Sequence, residues 1–213
     1  MAEQFASKRN IRFMLYEVFN AEELTQYEFY QDHSRETFDM IIDTIWKMGV
    51  DFLYPLYQEL DKNPPQFVDG QAKVHPATRQ FMRMCGEGGW INANWSYEDG
   101  GQQVPLLITF VNSLIMAAAN CGLSGFPALT TGAANLILNF GSQELKDLYL
   151  EKMVSGEWQG TMALTEPDAG SSLADIKTTA VDTGEGYYKI KGQKIFISAG
   201  DTAATDNTIH LML

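Results

Sequence analysis

The chain has 213 residues, 45% of them apolar, which is enough to bury a substantial core in one large domain or two modest ones. Lys+Arg total 15 against 27 Asp+Glu, a formal charge of −12 that repels a phosphodiester backbone unless basic residues gather in a stripe, and the sequence has no such stripe. Nucleic acid is therefore not an expected partner.

The opening residues, MAEQFASKRN, lack the apolar stretch and small-residue cleavage site of a secretory leader, so the expected compartment is cytoplasmic. From Ser34 onward, Phe38, Ile41, Ile42, Ile45, Met48, Phe52 and Leu53 recur at three- and four-residue steps, one face of a long helix. Ser34 caps its start, Gly49 weakens its middle, and Pro55 kinks or ends it. Asn63-Pro64-Pro65 stops the segment. A second helix starts at Pro76, which the first turn tolerates, and runs to Cys85 before Gly86 and the Gly88-Gly89 pair. After Gly100-Gly101 the pattern predicts an apolar helix from Pro105 to Cys121 closed by Gly122. Two more follow, from Pro127 to Phe140 and from Ser142 to Val154, the last capped by Ser142. The longest apolar run, Val104 to Ala119, is interrupted by Thr109, Asn112 and Ser113 and falls short of the ~20 residues of a bilayer span, so no transmembrane segment is expected. Cys85 and Cys121 stand alone, and both are expected to be buried free thiols. His33, His75 and His210 have no metal-ligand spacing.

Past Gly156 the period changes to two. Gln159 to Leu164 and Ile176 to Val181 read as strands. Tyr188/Ile190 and Ile195/Ile197 read as a hairpin about Gly192-Gln193, and Thr208 to Leu213 as a further strand. The pattern predicts an α+β chain, a helix bundle of roughly 155 residues followed by an unfinished β domain.

Between the first two strands lies ALTEPDAGSS, residues 163–172, a small, hydroxyl-rich loop. It lacks the strand-to-helix context and glycine spacing of a dinucleotide fingerprint or P-loop. Gly170 permits close backbone approach, and Thr165, Ser171 and Ser172 offer hydroxyls to a phosphate or a polar ring edge. On these residues alone a phosphate, a planar ring and a bare turn all stay open.

The wider stretch NFGSQELKDLYLEKMVSGEWQGTMALTEPDAGSSLADIKTTA, followed by YYKIKGQKIFISAGD, resembles the acyl-CoA dehydrogenase family. The match runs from the end of that family's helical N-terminal domain into its middle β domain. It carries a G-S-x-E-x-K…Y-L…G-E run, a T-E-P-x-A-G-S loop and a K-G-x-K-x-x-I-S segment, in order. The stretch NIRFMLYEVFNAEEL resembles the N-terminal extension of a subgroup acting on unusual acyl-CoA thioesters such as methylthiopropionyl-CoA. The resemblance implies an extension over 1–33, a helical domain over 34–157 and an incomplete, barrel-like middle β domain over 158–213, with the family's C-terminal helical bundle absent from this chain.

It also implies FAD as cofactor. By position, Met162, Leu164 and Thr165 line the flavin, and Gly170 and Ser171 meet its pyrophosphate region, with Ser171 also near the CoA arm of the substrate. Phe196 packs on the ring system where Trp or Tyr is usual, Ile197 lies beside it, and Ser198 places a hydroxyl where Thr is common. Asp168 stands in place of a common glycine and Ser172 in place of a usual aspartate, which changes the charge of the loop. The segment Phe126 to Thr131 either floors the acyl pocket or is ordinary bundle packing. Glu166 belongs to the loop's structure, and the family's catalytic base is a carboxylate from beyond residue 213, so the 213 residues alone are expected to be inactive. The implied reaction is α,β-dehydrogenation of an acyl-CoA with electrons passed to a separate acceptor, in an enzyme that is homo-oligomeric when complete. An acyl-CoA oxidase, a non-catalytic helical interaction module and one subunit of a split enzyme are the alternatives.

Overall fold

The computed structural model describes residues 5–213, so the first four residues of the expected extension lie outside the described residues. Within the extension, helix α1 (Lys8–Phe13) starts at Ser7, whose Oγ accepts from the Asn10 amide, and passes into a π-helical turn at Met14–Val18. Short 3-10 turns then cover Ala21–Gln26 and Glu28–Tyr30.

Helix α2 (Arg35–Met48) begins where the serine predicts. Ser34 Oγ accepts from the Thr37 amide at 3.3 Å while Thr37 Oγ1 accepts from the Ser34 amide at 2.8 Å, a reciprocal capping box. Phe38, Ile42 and Ile45 on its inner face are fully buried, each contributing about 1.5–3 kcal/mol on leaving water. A π turn at Gly49–Leu53 widens the end of the helix, and after Pro55 the chain restarts as α3 (Tyr57–Lys62). An unforeseen hairpin follows, β1 (Gln66–Val68) with β2 (Gln71–Lys73). Its turn residues Asp69 and Gly70 both take positive φ, +53° and +78°, the arrangement that matches strand twist in a two-residue turn.

Helix α4 (Ala77–Glu87) carries on through Gly86, where a Cβ would lie 2.0 Å from the Ser155 carbonyl oxygen. Gly156, at φ +77°, packs as closely on the Met82 carbonyl. This double glycine contact presses the start of the β region onto α4.

Helix α5 (Leu106–Phe140) corrects the expected pair of helices. The break falls at Asn120 (φ −162°, ψ 92°), and Gly122 and Pro127 lie within the second arm. Asn120 supplies the reason. Its Oδ1 accepts from the Leu123 amide, capping the second arm, and its Nδ2 donates to the Leu53 carbonyl, both at 3.1 Å. Among the described residues α5 is the one helix long and apolar enough to cross a membrane by length and composition; an 18-residue window of it reaches a mean hydropathy of 1.8, and the helix is longer than the apolar run read from the sequence. Ile108, Ile115 and Leu123 of α5 are packed with α2 and α4 in the main core. Cys85 is buried there and its thiol is pushed up to about 12 by burial. Cys121 is exposed, contrary to expectation, because it borders an open groove along α5 and is not packed into the core.

Helix α6 (Gln143–Val154), capped by Ser142 Oγ on the Leu145 amide, leads to β3 (Trp158–Ala163). A second core cluster of Trp95, Ala133, Ala134, Ile137 and Met153 lies here, with Trp158, Ile209 and Leu211 packed against it. Strand β3 pairs in parallel with β6 (Asn207–Met212), Trp158 opposite Asn207 and Ala163 opposite Met212. Between them β4 (Thr179–Asp182) and β5 (Tyr188–Lys191) form an antiparallel hairpin.

Two strand expectations are corrected. The hairpin turns at Gly184 and Gly186 (φ +74° and +85°), not at Gly192-Gln193, and Ile195–Ile197 is not strand. Residues Ile176–Thr178 also stay outside β4, because the amides of Lys177 and Thr178 donate to the Glu166 carboxylate instead of a neighbouring strand.

Candidate functional site

Strand β3 is clamped to α5 from below. Gly160 is the closest approach, since a Cβ there would lie 2.6 Å from Ala133 Cβ and 3.0 Å from Thr130 Cα, and its amide donates to Thr130 Oγ1 at 3.1 Å. Gln159, Thr161 and Ala163 are buried, while Met162 points outward and is 39% exposed. Past the strand, Leu164 and Thr165 are half-buried and Glu166 is buried. Glu166 and Ala169 exchange backbone bonds of 2.8 and 3.2 Å around Pro167 and Asp168, closing a tight turn.

Glu166 is the hub. Its carboxylate accepts from Thr178 Oγ1 at 2.5 Å, the Thr178 amide at 3.0 Å, the Lys177 amide at 2.7 Å and Lys194 Nζ at 2.9 Å. The Thr178 hydroxyl first, then the Lys177 amide and the Lys194 ammonium, hold its pKa down to about 2, against burial, which acts the other way. A carboxylate saturated with donors is a structural anchor, which is the role the family resemblance implies for it. Asp168, the unusual residue of the loop, has its charge matched by Lys177 Nζ at 2.8 Å in an exposed pair.

The segment after β5 is drawn to this hub. Lys194 Nζ donates to the Leu164 carbonyl at 2.9 Å as well as to Glu166, and the Ile195 amide donates to the Thr165 carbonyl at 2.9 Å. The structure thus brings Leu164 and Thr165 together with the residues leading into Phe196, Ile197 and Ser198. Gly170 folds back toward them, its Cβ position 4.0 Å from Thr165 Cγ2 with no other atom nearer. Met162 lies near the end of β3, two residues before Leu164, and Ser171 directly follows Gly170 in the loop. Phe196 is 88% exposed at φ +57°. The hydroxyls of Thr165, Ser171 and Ser198 have no hydrogen-bond partner among the described residues.

These residues fit one wall of a flavin site. Phe196 and Met162 offer uncovered apolar surface for a planar ring, the free hydroxyls offer donors to its polar edge, and the open space at Gly170 admits close backbone approach. Of the two side chains that organise the wall, sequence reasoning included Lys194 in the K-G-x-K-x-x-I-S segment without giving it a role, and missed Thr178. A lysine on a strand-like pattern reads as solvated, and only the buried carboxylate opposite explains it.

On the helical side, a groove of about 420 Å³ lies along α5 between the Trp90 loop and the second arm, lined by Phe110, Met116, Ala128 and Thr131 among others. Pro127 also borders it, so part of the Phe126 to Thr131 segment faces an open groove and not only its helical neighbours. His33, His75 and His210 bond separately to the Gln102 carbonyl, Glu59 and Thr161. Among the described residues no group of three or more His, Cys, Asp or Glu is placed to hold a metal ion.

Comparison with known proteins places the chain in a family. Residues 35–157 match the family model described as acyl-CoA dehydrogenase, N-terminal domain, and residues 161–210 match the acyl-CoA dehydrogenase middle domain. A butyryl-CoA dehydrogenase of Syntrophomonas wolfei is 35% identical over 211 residues, covering 96% of this chain and 34% of the relative. A 3-methylmercaptopropionyl-CoA dehydrogenase of Ruegeria pomeroyi is 38% identical over 134 residues, 63% of this chain and 22% of that protein. The solved acyl-CoA dehydrogenase from Bacillus anthracis, complexed with FAD, superimposes with a TM-score of 0.65 at 26% identity, covering 80% of this chain and 28% of that one. The chain thus spans about a third or less of the length of these relatives. With both regions matched in order, the chain belongs to the acyl-CoA dehydrogenase family.

Proposed function

We propose that this chain supplies the N-terminal and middle parts of an enzyme that carries out FAD-dependent α,β-dehydrogenation of an acyl-CoA thioester. The observation that carries the reading is the joining of residues 164–166 to residues 194–195, which sets the exposed Phe196 and the unpartnered hydroxyls of Thr165 and Ser198 on tied segments. On this reading Met162, Leu164 and Thr165 line the flavin, Thr165 toward its polar edge. Gly170 and Ser171 meet the pyrophosphate region, Ser171 also serving the CoA arm. Phe196 and Ile197 lie against the ring, and Ser198 presents a hydroxyl to its edge.

Bound FAD supplies the two-electron acceptor for a hydride leaving the β-carbon. The protein's part is geometric. The Phe196 face fixes the plane against which the substrate is stacked, and the groove along α5 shelters the acyl chain so that both C–H bonds are aimed. The α-proton goes to a carboxylate supplied from beyond residue 213, because Glu166 already has four donors and stays ionised as an anchor. On the same reading electrons leave for a separate acceptor, and the enzyme is a homo-oligomer working in the cytoplasm.

The test is purification of the polypeptide as its gene encodes it, followed by anaerobic addition of butyryl-CoA and 3-methylmercaptopropionyl-CoA. Bound flavin that bleaches with acyl-CoA is the expected outcome. Protein that holds no flavin, or flavin that no acyl-CoA reduces, refutes the reading. Rapid reoxidation of the bleached flavin by air would instead assign an acyl-CoA oxidase.

A further inference from the structure

Lys194 and Glu166 are a buried ion pair, their side chains 8% and 6% exposed. A lysine is rarely buried without a specific partner, and its three donors set how many groups it can tie together. Here two of the acceptors it reaches, the Leu164 carbonyl and Glu166 Oε1, flank Thr165 on either side, each at 2.9 Å. The next residue adds the Ile195 amide bond to the Thr165 carbonyl itself. Two consecutive residues thus grip three consecutive residues of the candidate flavin loop.

Immediately after this grip the backbone is unfavourable. Phe196 takes φ +57° and Ala199 φ +53°, left-handed conformations that a side chain with a Cβ resists. Phe196 is 88% exposed, so no burial of its ring offsets this conformation. The anchoring comes from the chain on either side, Lys194 and Ile195 before it and the Gly200 amide on the Ile197 carbonyl (3.2 Å) after it. Backbone strain of this kind persists where the surroundings over-determine it, and such places cluster at functional sites. The anchor is itself fixed, since Thr178 donates its amide and hydroxyl to Glu166. Gly192 packs so closely on Thr178 that a Cβ would lie 2.1 Å from Oγ1.

We propose that Lys194, through its pair with Glu166, is a positioning residue that holds Phe196 to Ser198, the stretch bounded by the left-handed Phe196 and Ala199, in the geometry presented to the flavin. This rests on the dehydrogenase reading above. It goes beyond a structural tie, because removing one partner of a purely structural pair would lower stability and leave the flavin's absorption and reduction rate unchanged.

The test uses the full-length flavoprotein with Lys194→Met, Lys194→Arg and Thr178→Val. Three properties are read: the visible absorption of the bound flavin, the limiting rate of its reduction by acyl-CoA, and the half-saturating acyl-CoA concentration. Lys194→Met is expected to shift the flavin band and to lower the limiting rate by roughly ten- to a hundredfold, the scale of small misplacements at a reacting centre. Half-saturation should change by no more than about twofold, since the substrate's binding contacts are left in place. Lys194→Arg should keep the band and most of the rate, and Thr178→Val should move both in the same direction as Lys194→Met by less. A Lys194→Met enzyme with an unaltered band and limiting rate overturns the proposal even if it melts earlier. If that variant does not fold, Thr178→Val decides by the same two measures. A wild-type protein that binds no flavin overturns this inference together with the reading beneath it, whereas a competent wild type with indifferent variants overturns the inference alone.

Discussion

Two glycines ten residues apart, Gly160 and Gly170, separate folding from cofactor binding. At Gly160 a Cβ would sit 2.6 Å from Ala133 Cβ and 2.9 Å from Met153 Cε, inside the packed seam between β3 and α5. At Gly170 the nearest atom to a Cβ is Thr165 Cγ2 at 4.0 Å, and φ is not positive. Gly160→Ala therefore overfills a core and is expected to cost about 1–3 kcal/mol of stability. Gly170→Val falls on an exposed loop with room for it and should stay within about 0.5 kcal/mol for the flavin-free protein. Its branched side chain nevertheless projects from the loop proposed to admit the pyrophosphate, and it should raise the dissociation constant for FAD at least tenfold, or about 1.4 kcal/mol. Melting of the flavin-free forms gives the first comparison, and titration of apoprotein with FAD, followed by quenching of flavin fluorescence, gives the second. If Gly170→Val takes up FAD as tightly as wild type, Gly170 is not in the site. If it melts as early as Gly160→Ala, the steric argument is wrong.

Ser198→Ala should slow flavin reduction more than it lowers the melting temperature, because the hydroxyl has no partner among the described residues; unchanged reduction with a large loss of stability would make Ser198 structural. Glu166, whose folded pKa is lowered from 4.5 to about 2 by its donors, contributes stability that is fully present above pH 4.5 and is lost as the pH falls toward 2. Melting curves from pH 6 to 2 should show a drop over that window which Glu166→Gln flattens, and a parallel drop in both proteins would contradict the assignment. The same variant should keep α-proton exchange wherever it still binds FAD and acyl-CoA, and loss of exchange in such an enzyme would make Glu166 the base. Residues 1–213 expressed alone should hold FAD weakly and turn over no acyl-CoA, which any turnover in an assay across a range of acyl chain lengths would disprove.

The helices were legible because their signals are local. Ser34, Ser142 and the three- and four-residue apolar steps each act within one or two turns, and the caps form where the serines stand. The errors fall where a distant group overrides the local signal. Gly122 and Pro127 look like a helix break, but the Asn120 amide reaches both the Leu123 amide and the Leu53 carbonyl and moves the break upstream. Ile176 to Val181 alternates like a strand, yet the Glu166 carboxylate, earlier in the chain, takes the amides of Lys177 and Thr178 and delays the strand to Thr179. Gly192-Gln193 has the composition of a hairpin turn, but Lys194 is claimed by Leu164 and Glu166, so the chain leaves the hairpin to meet the loop.

All three of those overrides are made by a polar side chain satisfying backbone or charge across a gap in sequence, and hydrophobic periodicity carries no trace of such pairings. Two of them converge on Glu166, in the loop whose small, hydroxyl-rich residues left a phosphate, a planar ring and a bare turn open. The pattern misreads the strand at Ile176 and the turn at Gly192 for one reason: the chain there is shaped by the carboxylate that holds in place the loop proposed to face the flavin. Misplaced secondary structure around a buried, fully bonded carboxylate is therefore itself a pointer to the site, since local propensity is overruled where geometry is needed for function.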